Sequence, residues 1–589
     1  MVGIVFCVGG TGCCHAAKEI SDEIEGYSTH KLYESDNINV YNVCYPTYPT
    51  KIFDFEDFTI ILEGEIYDPQ DYEKSLRKLF MNGVPDEKLF KSWAKQIDGD
   101  FNLYVIDESN EKLRIFTDIL NRLPIYYTKS NNIAIGGRSL RFVKKLYQER
   151  SDAINLDQMA IAEFLLLGYY VGKRTPYKNI HKSVPASKIT LSVFNSEHTV
   201  YNQLSFDVEN KNHLSLKENA ENLVSILSKA ILDRSSLAGS HAVSLSGGKD
   251  SRLIASLLKY LGIEFSGYSF YNKSISAKKD TAVALKIAQS LNINWTQYFV
   301  QNSGGSLNSL YKTKGGMNYL ALGFLVNFLQ KIVSENDSYV NLYTGDIGDL
   351  LDGSWSFENK FTNNRNAAQW LISKYKFNDP HIVEEITGIT REELISEIVS
   401  HLNNFPEGSV EDRLQHFLIQ ERGFNMDFQG EDRNRSYIWT LAPLNSWPVV
   451  NYLMTVPKNQ KFRYKLTKEV FKIINNDMIF IDYSPYDAPM GSYIQLFREW
   501  DFGITSRLEK LKYNLNMGSD ILDRDNQKIE NYIYHLESLD YDHNVPLDKV
   551  SECIYRYGSE KYTILTLLAI IEDLEQESVF FNENSEVIF

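Results

Sequence analysis

The chain has 589 residues, too many for one hydrophobic core, and its 43% apolar and 23% charged composition is that of a globular protein of two or more domains. Its formal net charge of −16 argues against nucleic acid as a partner, because a phosphate backbone requires a basic face. No apolar run is long enough to span a bilayer, residues 1–8 lack the basic flank of a signal segment, and the five cysteines show no Cys-x-x-Cys spacing, so the expectation is a cytoplasmic chain with no membrane partner and no zinc.

Residues 1–205 carry short alternating apolar segments at 2–8, 40–43, 58–62, 101–106, 113–116, 133–135 and 187–191, which read as strands. Helical periodicity at 71–81 and 87–97 interrupts them, predicting a sheet sandwich with flanking helices. Cys7 falls on an apolar strand, where a buried thiol is inert. Cys13 and Cys14 follow Gly9-Gly10-Thr11-Gly12 in a predicted loop and are the alternative reactive thiols.

A polar stretch from 206, with Asn210, Lys211, Asn212 and His213, leads into a helix over 218–232 and a second unit, 206–360. Strands predicted at 241–245, 264–270, 294–300 and 339–343 alternate with helices at 253–261, 280–291 and 320–332, the pattern of a parallel α/β sheet. Between the first strand and its helix lies Leu245-Ser246-Gly247-Gly248-Lys249-Asp250-Ser251. Two glycines let the backbone approach a ligand, and the helix start points N–H groups and the positive end of its dipole at it, so this is an anion-holding loop. Ser246 and Ser251 add hydroxyls, while Asp250 beside a phosphate makes chemical sense with Mg²⁺ between them. The spacing is not that of a P-loop. After the fourth strand comes Thr344-Gly345-Asp346-Ile347-Gly348-Asp349, a second acidic glycine loop at the carboxyl end of a strand, where open α/β sheets take ligands. Residues 361–589 read as mainly helical, at 367–375, 391–402, 410–424, 468–474 and 562–574; the eleven histidines form no ligand pair, and there is no internal repeat.

The loop Ser246-Gly247-Gly248-Lys249-Asp250-Ser251 resembles the pyrophosphate loop of enzymes that split ATP into AMP and pyrophosphate. Four fragments of the first unit, Leu62-Glu63-Gly64-Glu65-Ile66-Tyr67-Asp68, Ile97-Asp98-Gly99-Asp100-Phe101, Thr117-Asp118 with Arg122-Leu123-Pro124-Ile125-Tyr126-Tyr127, and Ile135-Gly136-Gly137-Arg138-Ser139-Leu140, resemble in order and spacing the glutamine-hydrolysing domain of the asparagine synthetase family. The resemblance implies an α/β and α+β chain: an Ntn-hydrolase-like sandwich over 1–205, an ATP-pyrophosphatase core over 206–360, and a helical extension over 361–589. It also implies ATP and Mg²⁺ as cofactors. Leu245, Ser246, Gly247, Gly248, Lys249, Asp250, Ser251, Ser269, Phe270, Thr344 and Gly345 would then surround the nucleotide, Asp250 and Asp349 would share the metal, and Asp346, with Glu431 or Glu421 as its partner, would serve the reacting centre; the Lys the family has there is missing from residues 487–493, and Lys461, Lys465 and Lys468 are its nearest substitutes.

Departures from the family pattern carry their own expectations. The family's glutaminase uses a Cys immediately after the initiator Met, and this chain has Val2 there; Glu63 stands where the family has Asn, and residues 31–50 contain no Arg to grip a glutamine carboxylate. The first unit is therefore expected to be an inactive glutaminase. Leu350 replaces a family Glu, and the acceptor segment around Glu431-Asp432-Arg433 is offset by about one residue from the family's spacing.

The expected reaction is adenylation of a carboxylate followed by amide closure. With glutamine hydrolysis lost, the amine is expected from the same substrate, a small carboxylate-bearing molecule or a precursor peptide whose leader is removed by a partner protease, as in β-lactam synthetases and lasso-peptide cyclases of this family. An ammonia-dependent asparagine or sugar-acid amide synthetase and a non-catalytic binding scaffold are the alternatives.

Overall fold

The computed structural model describes residues 3–10, 12–68, 72–150, 154–207, 211–336, 340–346, 348–353, 355, 357, 360–495, 497–498, 545–547, 549–550 and 559–574, with the side chains of residues 349, 352, 428 and 559–561 outside that description. The first lobe contains β1 (Gly3–Val8), β2 (Ser28–Glu34), β3 (Ile38–Cys44), β4 (Thr50–Asp54), β5 (Thr59–Ile66), β6 (Gly99–Asp107), β7 (Lys112–Thr117), β8 (Tyr126–Ser130), β9 (Ile133–Gly137), β10 (His181–Lys182), β11 (Ser187–Leu191) and β12 (Ser196–Val200). They form two six-stranded sheets in the orders β10-β8-β9-β1-β3-β2 and β12-β11-β7-β6-β5-β4. Alternation along β1 assigns the faces: Ile4, Phe6 and Val8 join Val40, Ile61, Tyr104, Ile106, Ile115 and Ile189 in the layer between the sheets, while Val5 and Cys7 join the main core on the other side. The expected sandwich with outer helices is present.

Two sequence expectations in this lobe are corrected. Cys13 and Cys14 do not sit in a loop but open the helix Cys13–Asp22, Cys13 buried and Cys14 exposed. Its N-cap is Gly12 at φ 98°, with no side-chain cap bond, so the Ser/Thr/Asp signal that marks a helix start in sequence is missing. The strands β2 and β4 were not predicted, because both are sheet edges rich in exposed polar residues and lack a clean alternation.

The second lobe is built on β13 (Ser240–Ser244), β14 (Ser266–Tyr271), β15 (Trp295–Phe299), β16 (Val340–Tyr343) and β17 (Thr440–Leu441), all parallel in the order β15-β14-β13-β16-β17. The chain winds outward from β13 to β15 and then returns on the other side of β13 as β16. Reversal of strand order between these two neighbours, paired Val243 to Tyr343, opens a crevice at their carboxyl ends, and both glycine loops leave from there. The last strand of this sheet comes from beyond residue 361, so the helical extension and the α/β core share one sheet.

The predicted helix over 410–424 is α-helical only at Val410–Phe417 and continues as an eleven-residue π-helix, Leu418–Phe428, into the short helix Gln429–Asn434. One continuous apolar core runs through both lobes, from Leu62 and Leu120 to Leu223, Leu253 and Leu444. Among the described residues no helix is long and apolar enough to cross a membrane.

Candidate nucleotide and carboxyl site

The loop between β13 and the Lys249–Tyr260 helix is closed on itself. Ser246 N–H donates to Ser251 Oγ at 3.0 Å, the two hydroxyls meet at 2.8 Å, and Gly248 N–H donates to Ser246 Oγ at 3.2 Å. Gly247 N–H donates to Asp280 Oδ1 at 3.1 Å. An entering anion would take these amides over from Asp280 and Ser246, at the start of a helix whose N-cap, Gly248, makes no side-chain cap bond. Leu245 N–H continues the sheet to Tyr268 O at 2.8 Å. Ser269 Oγ donates to Leu245 O at 2.5 Å and accepts from Trp295 Nε1 at 2.8 Å, while Phe270 packs on Phe324 and Phe328, so these two set the strand beneath the loop.

Arg252, not singled out by the sequence, is fully buried and spreads its guanidinium over the carbonyls of Gly247, Met478, Ile481 and Asp482 at 2.7 to 3.2 Å. Burial lowers it to about 10. It ties the loop to the segment that covers it, where Ser484 N–H also donates to Gly247 O at 3.2 Å.

The second loop lies directly on the first. A Cβ at Gly345 would come within 2.6 Å of Ser251 N, and one at Gly348 within 1.8 Å of Asp250 Oδ1, so only glycine fits at either place. Lys249 Nζ stands 3.1 Å from Asp250 Oδ2. Asp250 thus offers a hard oxygen donor packed against Gly348, which suits Mg²⁺ as one ligand. The side chain of Asp349, the expected second ligand, lies outside the described residues, and among the described residues no group of three or more His, Cys, Asp or Glu side chains is arranged to hold a metal.

Beyond Gly345 the sequence-predicted carboxyls meet. Thr344 N–H donates to Leu441 O at 2.9 Å, its hydroxyl donates to Glu431 Oε1, and Thr440 Oγ1 donates to Glu431 Oε2 at 2.5 Å. Glu431, 2% exposed, is hydrogen-bonded to Asp346. Burial above all, then the charge of Glu431 and its hydrogen bond, and Asp427 beyond, hold the Asp346 carboxyl well above the usual range; Arg433 opposes them. Asp346 therefore holds a proton more tightly than a free carboxyl does, which makes its ionised form the stronger base. Arg433 is itself lowered by burial, with Asp346 and Glu431 pulling it back up.

Two further candidates are placed elsewhere. Glu421, the other carboxylate that could have oriented Asp346, accepts from Gly172 N–H at 2.7 Å and from Asn425 at 2.9 Å. Lys465 is exposed, with its ammonium on Asn459 O at 3.2 Å, and no described contact joins it to Asp346 or Glu431. Asp280, Thr440 and Arg433 were missed. Nothing local marks them, because each acquires its role from a chain crossing made far away in sequence.

In the first lobe, the start of β1 is walled in. Ile4 N–H, Tyr48 OH, Asn102 Nδ2 and Tyr104 OH all donate to Glu63, at 3.1, 2.8, 3.2 and 2.7 Å, and Arg138 Nε lies 3.4 Å from it. A Cβ at Gly3 would come within 2.2 Å of Glu63 Oε1 and 2.5 Å of Arg138 Cγ, so these two side chains pack directly on the strand there. The opposite face of Arg138 meets Asp432, whose second oxygen takes Lys314.

Residues 52–202 match the family described as the glutamine amidotransferase domain, a likeness in sequence that covers β5 to β12 of the first lobe. No curated protein matches the chain. Among solved structures it is similar to the glutamine phosphoribosylpyrophosphate amidotransferase from B. subtilis complexed with ADP and GMP, at 8% identity, over 58% of this chain and 81% of that one, with a TM-score of 0.24. It is also similar to the NMN synthetase from Francisella tularensis (16% identity, 38% of this chain, 96% of that one, TM-score 0.18) and to the allosteric regulatory enzyme of purine biosynthesis (7%, 69%, 94%, TM-score 0.25). Superpositions this loose bear on neither substrate nor mechanism.

Proposed function

We propose that the chain is an ATP-dependent, amide-forming ligase: it adenylates a carboxylate in the second lobe, releases pyrophosphate, and closes the acyl-adenylate with an amine carried by the same substrate, as in a macrolactam cyclase or a β-lactam-forming synthetase. The observation that carries this reading is the contact between the two glycine loops, which sets Asp250 of the first against Gly345 and Gly348 of the second and places the Asp346–Glu431 pair one residue further on.

Bound ATP and Mg²⁺ would supply the leaving group and neutralise its charge; Asp250 and the loop around Gly247 and Gly248 would hold them. Asp346 takes the proton that the attacking amine must lose. Burial, and then Glu431, which Thr344 and Thr440 fix, raise its affinity for that proton, so that its ionised form is a stronger base than a free carboxylate. The walled-in start of the first lobe and Val2 at the nucleophile position support an amine source other than glutamine hydrolysis.

The test is pyrophosphate release from ATP and Mg²⁺ with amino-carboxylates and with linear peptides bearing both a free amine and a carboxylate. Stoichiometric AMP and a product lighter than its substrate by one water are expected. ADP and phosphate as products, or pyrophosphate that appears only with glutamine and is accompanied by glutamate, would overturn the reading.

A further inference from the structure

The junction of the lobes contains a chain of four buried charges that the nucleotide site does not use. Glu63, Arg138, Asp432 and Lys314 alternate in sign, and none has a solvent-exposed side chain. Glu63 and Arg138 belong to the first lobe; Asp432 and Lys314 belong to the second. Asp432 is the residue next to Glu431, on a helix of only six residues that follows a π-helix. So short a helix cannot fix its own orientation, since most helical stability comes from packing. Thr344, Thr440 and Lys314 hold it from the second lobe, and the first lobe adds Arg138 on Asp432, Asp100 on Arg435 at 2.6 Å, the Arg122 carbonyl on Arg435 at 3.2 Å, and Tyr126 on Gln429 at 3.4 Å.

We propose that Arg138 is a positioning residue: by gripping Asp432 from the first lobe, it fixes the Gln429–Asn434 helix so that Glu431 meets Thr344, Thr440 and Asp346. The first lobe, walled in at the start of β1, then serves as the arm that aims the acid pair of the second. Charge chemistry supports the assignment. Asp432 is buried, which alone would raise it, yet Arg138 and Lys314 outweigh burial and hold it below the usual carboxylate range. Burial pushes Lys314 down to about 8 against the pull of Asp432. Each member of the chain therefore depends on its neighbours, and Arg138 is the one that joins the two lobes. This rests on reading Asp346 and Glu431 as the reacting carboxyls, but its primary test needs no substrate.

Hydrogen exchange by mass spectrometry on the full-length chain reads the helix directly. In Arg138→Gln, amides of residues 429–434 and of 344–346 should exchange about ten-fold or more faster, while those of the Lys249–Tyr260 helix and of β5 and β6 keep their protection. Arg138→Lys, which keeps a cation on Asp432, should restore most of the protection. Unchanged exchange at 429–434 in a folded Arg138→Gln chain would overturn the proposal, and so would faster exchange spread evenly over both lobes, which would make Arg138 a general support of the fold. Should the single variant fail to fold, Glu63→Gln with Arg138→Gln removes one charge of each sign and makes the same measurement. With an active substrate, Arg138→Gln should lower amide formation while ATP-pyrophosphate exchange is kept. Faster local exchange in a chain that adenylates nothing would uphold the positioning and reject the proposed function.

Discussion

Both lobes bury acids where they meet, but they surround them differently. In the first lobe acid meets arginine: Arg122 reaches Asp98, Asp100 and Asp118 at 3.8, 2.7 and 3.3 Å, Arg435 reaches Asp100 at 2.6 Å, and Arg138 reaches Glu63. In the second lobe acid meets acid, with Asp346 against Glu431 and Asp427 near by. Balanced pairs give a rigid junction with no proton to spare. An acid buried against another acid binds a proton more tightly than a free carboxyl does, and a reacting amine, which must lose a proton, requires such a base.

The largest effect should come from breaking the unbalanced side. Asp346→Asn keeps the size and the hydrogen bond to Glu431 but removes the proton acceptor, so amide formation should fall by ~10² to 10⁴-fold, the usual range for a positioned acid or base. ATP-pyrophosphate exchange should persist, because adenylation needs Asp250 and the loop but not Asp346. Parallel loss of both activities in this variant would move Asp346 into the adenylation step.

Breaking the balanced side should act on stability instead. Asp100→Asn leaves Arg122 and Arg435 buried with one carboxylate fewer, and removing one partner of a buried pair costs about 3 to 5 kcal/mol. Urea unfolding of the variant should show a lower midpoint with an unchanged slope. A loss no larger than about 1 kcal/mol, the scale of a surface ion pair, would mean that the network relaxes and that the junction is less rigid than its distances indicate.

The same contrast separates what could be read from the sequence. The glycine loops were legible because their roles are local: Gly247, Gly248, Gly345 and Gly348 stand beside the acids they serve, at the ends of strands whose apolar pattern shows where the sheet is. The pairing of Asp346 with Glu431 was only half legible, since Glu431 lies 87 positions from Thr344, the threonine next to the second loop that bonds it, and reaches it through β17, a two-residue strand with no pattern of its own. The Glu63–Arg138–Asp432–Lys314 chain was not legible at all. Each member is an ordinary charged residue until three long crossings bring them together, and a charge in sequence is expected on a surface. The helix Cys13–Asp22 was lost for a different reason, a glycine where a capping side chain would normally signal its start. Lys465 was proposed by proximity to a family pattern, and the fold sets it on the surface with Asn459.

The smallest expected effect is a difference in the sign of pH dependence, and it tests the contrast without any substrate. Asp346 is held above the usual range when folded, chiefly by burial and by Glu431. The folded state therefore binds its proton more tightly than the unfolded one. Its contribution to stability is complete below the unfolded value near 3.9 and is lost as pH rises through the folded value. Asp100 is the reverse: burial would raise it, but Arg122, Arg435 and Arg234 outweigh burial and hold it below its ordinary value, so its contribution is present above that value and is lost as pH falls. Each group can bend the stability curve by no more than about 1.4 kcal/mol per pH unit. Subtracting the curve of Asp346→Asn from that of the parent should give a line that falls as pH rises above about 4 towards the folded value. Subtracting Asp100→Asn should give one that is flat there and drops only in acid. Two differences of the same sign would mean that Asp346 ionises like any paired carboxylate, in which case it binds a proton no more tightly than Asp100 does and is too weak a base to take one from the amine.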